Sequence, residues 1–389
     1  LELAVIEYQG PEIDSIDVLW QLAQDAVRRA TGSVELEIDS ALRLARLCYR
    51  LGCRRDELAV GDPWEISTDI GPVIDQNAKA KIDVHIEEAR SENRLIKQIA
   101  ELDLGTFVAP ALIKIDSILD LEEEIFGPVL HVARFSADDI DQVISDINAT
   151  GYGLTFGLHT RIDDRVQHIV DRVEVGNIYV NRNQIGAVVG SQPFGGEGLS
   201  GTGPKAGGPS YTRRFTAVQK LEVTNHQNEC VEVSAEIVQD AIRDAERTRN
   251  NKPLCEISLP GPTGESNQLS HFGRGAVLCL GPSAVDTADQ VALATEHGCV
   301  GINVTAQSEN DNGRLNTSDL TGLEGIKAVL FWGEESVSRN IREALAQRTG
   351  AIVPLLTSPD DGYMLELERH VCIDTTASGG NTALLAAQS

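Results

Sequence analysis

The run ADDIDQVISDINATGYGLTFGLHTRIDDRVQHIVDRVEVGNIYVN, residues 137–181, decides the fold class. Ile140, Val143, Ile144 and Ile147 recur at three-and-four spacing and predict a helix from Asp138 to Asn148, with Gly151 and Gly153 ending it. A short apolar run from Leu154 to His159 predicts a strand. Ile162, Val166, Ile169 and Val173 predict another helix, and Asn177 to Asn181 another strand. Strand and helix in alternation indicate an α/β layer structure with largely parallel pairing. Working outward, the spacing of Ile82, Ile86 and Ala89 predicts a helix from about Asp75 to Arg90. Thr106 to Ile115 is rich in extended formers, and a Phe126-Gly127-Pro128 turn leads into an apolar strand. Further back, Asp14 to Ala30 and the Leu42, Ala45, Cys48, Leu51 series read as helices.

Beyond residue 220 the pattern breaks. A polar, Asn-rich and acidic stretch ends in Pro260-Gly261-Pro262-Thr263-Gly264, so residues 221–270 read as a linker. Alternation then resumes: strand 276–280, helix 285–297, strands 301–304 and 326–332, helix 334–348, strand 351–356 and a turn-rich tail. The expected organisation is a helical segment 1–58, an α/β portion 59–220, the linker, and a second Rossmann-like α/β domain 271–389.

The chain has 389 residues and a net charge of −26, with 41% hydrophobic and 24% charged residues. That composition describes an ordinary folded protein, and an acidic surface repels phosphate backbones and anionic lipid, which argues against nucleic-acid and membrane partners. No apolar run reaches the roughly 18 residues that span a bilayer, so a cytoplasmic protein is expected. Seven scattered cysteines without a C-x-x-C pair suggest neither a disulfide framework nor a zinc ribbon, and read as reduced, mostly buried thiols. The chain begins at Leu1, which raises the expectation of a segment of something longer.

The densest glycine cluster runs from Gln192 to Gly208. Gly196, Gly198 and Gly201 match G-x-G-x-x-G, but no strand precedes them, and Gly203-Pro204 with Gly207-Gly208-Pro209 cannot open a stable helix. The stretch reads instead as a loop whose amide N–H groups can approach an anion such as a carboxylate, or as a plain connector. A second cluster, Glu122-Glu123-Glu124-Ile125-Phe126-Gly127-Pro128, could offer acceptors to ribose hydroxyls and a ring face to a nicotinamide, although three acids in a row are more often a solvated face. His85 lacks a second histidine at i+4 and reads as a surface residue, and no metal site is expected. Cys48 on its helix face is a weak nucleophile candidate.

Several motifs in order carry a family resemblance: Glu124-Ile125-Phe126-Gly127-Pro128-Val129, Asn148-Ala149-Thr150-Gly151-Tyr152-Gly153-Leu154-Thr155, Gly176-Asn177-Ile178-Tyr179-Val180-Asn181, and Pro193-Phe194-Gly195-Gly196 onward. Over about residues 59–219 the chain resembles the aldehyde dehydrogenase superfamily. The run to Pro209 is similar to the L-glutamate γ-semialdehyde (Δ1-pyrroline-5-carboxylate) dehydrogenase module of the bifunctional proline utilization A proteins. Residues 271–389 resemble the non-catalytic C-terminal domain of their longer members, which implies a packing role in place of an oligomer contact.

The resemblance implies NAD-dependent oxidation of L-glutamate γ-semialdehyde to L-glutamate in proline catabolism. It assigns Glu124 to the nicotinamide ribose and Phe126 to the neighbourhood of the ring. Phe194 would line the aldehyde pocket, and Ser200, Gly201, Ala206 and Gly207 would hold the substrate's α-amino-carboxylate. It also implies assembly with a proline dehydrogenase module or a homodimer. Ser40-Ala41-Leu42-Arg43 matches the stretch after the family's nucleophile, yet Glu37-Ile38-Asp39 stands before it, with Asp39 at the cysteine's place. No catalytic residue is recognised. Most of the NAD domain and the half that would carry FAD have no counterpart in the sequence, so impaired catalysis is expected. The alternative is a non-catalytic binding or scaffold module derived from that enzyme.

Overall fold

The computed structural model describes residues 2–6, 58–99, 105–160, 163–182, 184, 187–216, 231–308 and 312–375. The predicted helices at 14–30 and 42–51, Asp39, Cys48 and the tail after Thr375 lie outside the described residues.

The N-terminal portion has two layers of sheet and helix. Helix α1 (Gln76–Ser91) starts where the Asp75 carboxylate accepts from the Ala78 N–H at 2.8 Å, satisfying one of the free amides of the first turn. Its buried residues are Ile82, Ile86 and Ala89, the ones its periodicity marks. They pack on strands β2 (Leu95–Gln98), β3 (Ala111–Lys114) and β4 (Val129–Val132), which form one small sheet in that order. Helix α2 (Ile140–Ala149) buries Ile144 and Ile147, and β5 (Tyr152–Gly153) follows it. Strand β6 (Thr155–His159), helix α3 (Asp163–Val170) and strand β7 (Asn177–Val180) form the predicted crossover, with β6 parallel to β7. Strand β1 (Glu2–Ile6) pairs parallel with β6 on its other side. Phe156, Leu158, Ile178 and Val180 make the core beneath α2 and α3.

Downstream of β8 (Glu197–Gly198) the structure overturns the linker reading. Residues 231–273 hold strand β9 (Val231–Val233), helix α4 (Ala235–Thr248), strand β10 (Cys255–Leu259) and strand β11 (Glu265–Gly273). Helix α4 buries Val238, Ile242 and Ala245 on one narrow stripe while its other faces are charged, so its average composition resembles a loop. Strand β10 is largely exposed, and β11 is buried or half-buried along its whole length, with polar residues on both faces.

The second α/β layer follows the sequence more closely. Strands β12 (Ala276–Cys279), β13 (Val300–Asn303), β15 (Ala328–Leu330) and β16 (Leu355–Leu356) form an all-parallel sheet in the order β13-β12-β15-β16. Helices α4 and α6 (Glu335–Ala346) pack into one core cluster of this sheet, and α5 (Ala284–Glu296) into the other. Strand β14 (Gly313–Leu315) pairs with β9 at the side.

Strand β17 (Glu366–Asp374) does not join this second sheet. It inserts between β7 and β11, parallel to β7 and antiparallel to β11, giving the mixed order β1-β6-β7-β17-β11-β10. Val371 and Ile373 extend the core of the first portion, while Glu368, His370, Cys372 and Asp374 are buried on the other face. The first and last thirds of the described chain therefore share one sheet.

Candidate functional site

The glycine-rich loop rises from the end of β7 and returns on itself. Phe194 and Ala206 exchange backbone hydrogen bonds at 3.0 and 2.9 Å, which closes residues 194–206 into a loop. Strand β8 pairs with β5 through Gly198 and Glu197, so the loop is tied to the turn after α2. Residues 202–210, directly after the G-x-G-x-x-G match, form no helix.

The floor of the loop is a buried polar network. Asn177, fully buried at the start of β7, donates from Nδ2 to the Pro193 carbonyl at 2.9 Å. Its Oδ1 accepts from the Gly195 N–H at 3.1 Å and from Lys205 Nζ at 2.9 Å. Lys205, only 2% exposed, also donates to the Gly195 carbonyl, and its own N–H donates to Glu368 Oε2 at 2.6 Å. Burial lowers the Lys205 ammonium to about 7. Arg369 pairs with Glu197 at 2.8 Å and lies 5.1 Å from the centre of the Phe272 ring. Arg182 pairs with Glu265, which also accepts from Gln192 Nε2 at 2.9 Å. Strands β11 and β17 thus supply three carboxylate or guanidinium groups that hold the loop.

Two glycines have geometric reasons to be glycine. A Cβ on Gly176 would lie 2.1 Å from the Gly195 carbonyl oxygen, so the loop could not settle on β7. Gly207 has φ +71°, the left-handed region that side chains disfavour, and open space around its Cα.

The structure brings Phe194, Ser200, Gly201, Ala206 and Gly207 together on this one loop. Ser200 Oγ accepts from the Gly153 N–H at 3.0 Å, which fixes the oxygen and leaves its own O–H as a donor. Gly201 sits against the Gly196 carbonyl, and Ala206 and Gly207 are exposed at the loop's outer side. Glu124 and Phe126 stand elsewhere, both exposed, on the turn just before β4 in the three-stranded sheet; the Phe126 ring is 83% exposed. Gly127 beside them lies tight against Ile82 of α1, which seats the turn on that helix. Asn177, Lys205 and Glu368 were not singled out in the sequence. A polar residue opening an otherwise apolar strand was the signal for Asn177.

His85 is not a surface histidine. It is half-buried because β4 passes under α1, and its Nε2 lies 2.8 Å from Nε2 of His131. Burial, with His85 nearby, lowers His131 to about 4; burial, with Lys205 nearby, lowers the fully buried His370 to about 4. The unfolded chain takes up these protons near the ordinary 6.5, while the folded chain resists until about 4. Stability is therefore expected to fall as pH drops from 6.5 to 4. His271, raised chiefly by its hydrogen bond with Glu366, works in the opposite direction and favours the folded state at low pH. Urea unfolding of His370→Asn at pH 7 and pH 4.5 should show a smaller acid loss than the parent chain; an unchanged loss would clear His370 of the effect.

Among the described residues no thiol is activated. Burial pushes Cys279 and Cys372 up to about 12 and raises Cys299, and Cys255, though exposed, is also raised by residual burial and acidic neighbours. No group of three potential metal ligands occurs among the described residues, and no described helix is long and apolar enough to cross a membrane.

Comparison with known proteins places this geometry in context. The bifunctional protein PutA of Escherichia coli (strain K12) is 37% identical over 375 residues, covering 85% of this chain and 28% of that protein. The 1-pyrroline-5-carboxylate dehydrogenase of Geobacillus kaustophilus is 44% identical over 158 residues, 40% of this chain and 30% of the enzyme. The chain thus spans under a third of the length of these curated relatives. The solved structure of proline utilization A from Corynebacterium freiburgense superposes with TM-score 0.56 at 19% identity, over 97% of this chain and 39% of that one, a likeness of fold. The aldehyde dehydrogenase family profile matches residues 43–221, a range that contains α1, the crossover β6-α3-β7 and the whole glycine-rich loop. This chain carries an aldehyde dehydrogenase family domain, and its homologues are the PutA proteins and 1-pyrroline-5-carboxylate dehydrogenases.

Proposed function

We propose that this chain supplies the substrate-anchoring part of a dehydrogenase acting on L-glutamate γ-semialdehyde in proline catabolism, and that the loop from Phe194 to Gly207 receives the α-amino-carboxylate. The observation that carries the reading is the preformed loop itself. The Ser200 hydroxyl keeps a donor free beyond its bond from Gly153, and Gly207 presents exposed backbone in a conformation that only glycine adopts cheaply. A carboxylate bound there gains charge-assisted hydrogen bonds, which are stronger than neutral ones. Phe194 would stand beside the aldehyde chain.

The residues also suit the ribose and nicotinamide half of NAD. Exposed Glu124 can accept from ribose hydroxyls, and the open Phe126 ring two positions on can pack beside the nicotinamide. Bound there, NAD would supply the hydride acceptor. A binding module without chemistry of its own is the second reading. It is favoured by Asp39 at the place that the family resemblance gives to the nucleophile.

Titration calorimetry of the intact chain with L-glutamate tests the anchoring role. Binding is expected, and Ser200→Ala should weaken it about tenfold, the value of one hydrogen bond to a charged group. No heat from glutamate, or equal affinity in the variant, would refute the assignment. NADH formation from NAD and the semialdehyde separates the two readings, since only the dehydrogenase reading predicts turnover.

A further inference from the structure

Three guanidinium groups converge where the glycine-rich loop meets the second α/β layer. Arg213 and Arg214 stand next to each other on the 3-10 turn Tyr211–Phe215, just past the loop. Arg274, 7% exposed, lies behind them and donates to the Met364 and Thr202 carbonyls at 2.5 Å each. Arg214 donates to Thr202 Oγ1 at 3.3 Å and to the Gly203 carbonyl, and Arg213 lies 5.6 Å from the centre of the Tyr363 ring. The partners are thus carbonyls, a hydroxyl and a ring face. Among the described residues, no carboxylate forms an ion pair with any of the three. In a chain of net charge −26 this is a local reversal of sign, and the carbonyl bonds orient the guanidinium groups without neutralising them.

Arg213 and Arg214 open onto a pocket of about 430 Å³ along the edge strand β16. Leu355 and Met364 give it apolar wall, Arg213 and Arg214 a cationic one. Asp361, also at the wall, is engaged by backbone amides of Thr357 and Ser358; burial raises its carboxyl above the ordinary carboxylate value, and it forms no ion pair with either arginine.

We propose that this pocket binds a small organic oxyanion with an apolar body, a carboxylate or a phosphate monoester. Arg213 and Arg214 share the oxyanion, since adjacent planar guanidinium forks match two or three oxygens at fixed angles. Leu355 and Met364 receive the carbon skeleton. The site adjoins the glycine-rich loop through Arg214 and Gly203 but uses none of the residues assigned to glutamate.

Calorimetry on the intact chain with phenyl phosphate and with isovalerate, each against chloride at matched ionic strength, tests it. At least one probe is expected to bind with a Kd below about 1 mM. Arg213→Gln, which touches only the Tyr363 ring, should weaken that binding about tenfold, and Arg213→Lys should restore only part of it. Binding of phenyl phosphate alone assigns a phosphate ligand, and of isovalerate alone a carboxylate. Failure of both probes to exceed chloride, or equal affinity in Arg213→Gln, overturns the proposal. Glutamate titrated into Arg213→Gln reports the loop separately, so the two assignments fail independently.

Discussion

Gly176→Ala should destabilise the chain by about 3 kcal/mol or more, a cost at the upper end of overpacking changes. The new methyl carbon would lie 2.1 Å from the Gly195 carbonyl oxygen, 2.9 Å from the Gly196 Cα and 2.8 Å from Lys205 Nζ. The first two are backbone atoms, so a rotamer change cannot relieve the clash. Nor can Gly176 retreat: its N–H donates to the Gly153 carbonyl at 3.0 Å and its carbonyl accepts from the His370 N–H at 2.8 Å. Either β7 shifts against β17 or the loop lifts off its floor. Urea unfolding gives the stability, and calorimetry with glutamate reports the loop. A loss under about 1 kcal/mol would mean the loop rests on β7 far more loosely than the distances indicate.

Asn177→Leu keeps the volume of the side chain nearly constant and removes its hydrogen bonds. The Pro193 carbonyl and the Gly195 N–H lose their partner, and the Lys205 ammonium loses one of its two, in a site with no exposure at Asn177. Buried polar groups left unsatisfied, one of them ionisable, cost about 3–5 kcal/mol together. Part of that loss belongs to the amine, left with the Gly195 carbonyl alone. Lys205→Met in the same chain should therefore recover some of it, and the double variant should be more stable than the sum of the two single losses predicts. Strict additivity in a double-mutant cycle would show that Asn177 and Lys205 do not act as one unit.

These two residues also mark where sequence reading works and where it stops. The crossover β6-α3-β7 was legible because its apolar residues repeat at the periods of helix and buried strand and face one core. The loop was legible because glycine and proline spacing forbids a helix there. Helix α4 was missed although Val238, Ile242 and Ala245 carry the same periodicity, since its charged faces outweighed the stripe. Strand β17 was missed for a different reason. Its most deeply buried face is Glu368, His370, Cys372 and Asp374, so alternation of polarity points the wrong way. Glu368 and Cys372 find their partners in segments over a hundred residues away, the Lys205 N–H for Glu368 and the Arg182 guanidinium for Cys372. Long-range polar complementarity has no local signature. The same holds for the pairing of His85 with His131, which an isolated helix pattern places in solvent.

The insertion of β17 beside β7 has a consequence for how the molecule is made. His370 pairs with Asn177 across the sheet, so the central strand of the first portion waits for a partner emerging from the ribosome near the end of the described chain. At about 5–20 residues per second, β7 spends on the order of ten seconds or more with one hydrogen-bonding edge bare. During that interval the nascent chain offers a ready template for strand pairing with its neighbours, and chaperone occupancy should concentrate there. A premature stop before the codon for Glu366 would leave that edge permanently open, so such products are expected to aggregate rather than persist as a shorter working domain.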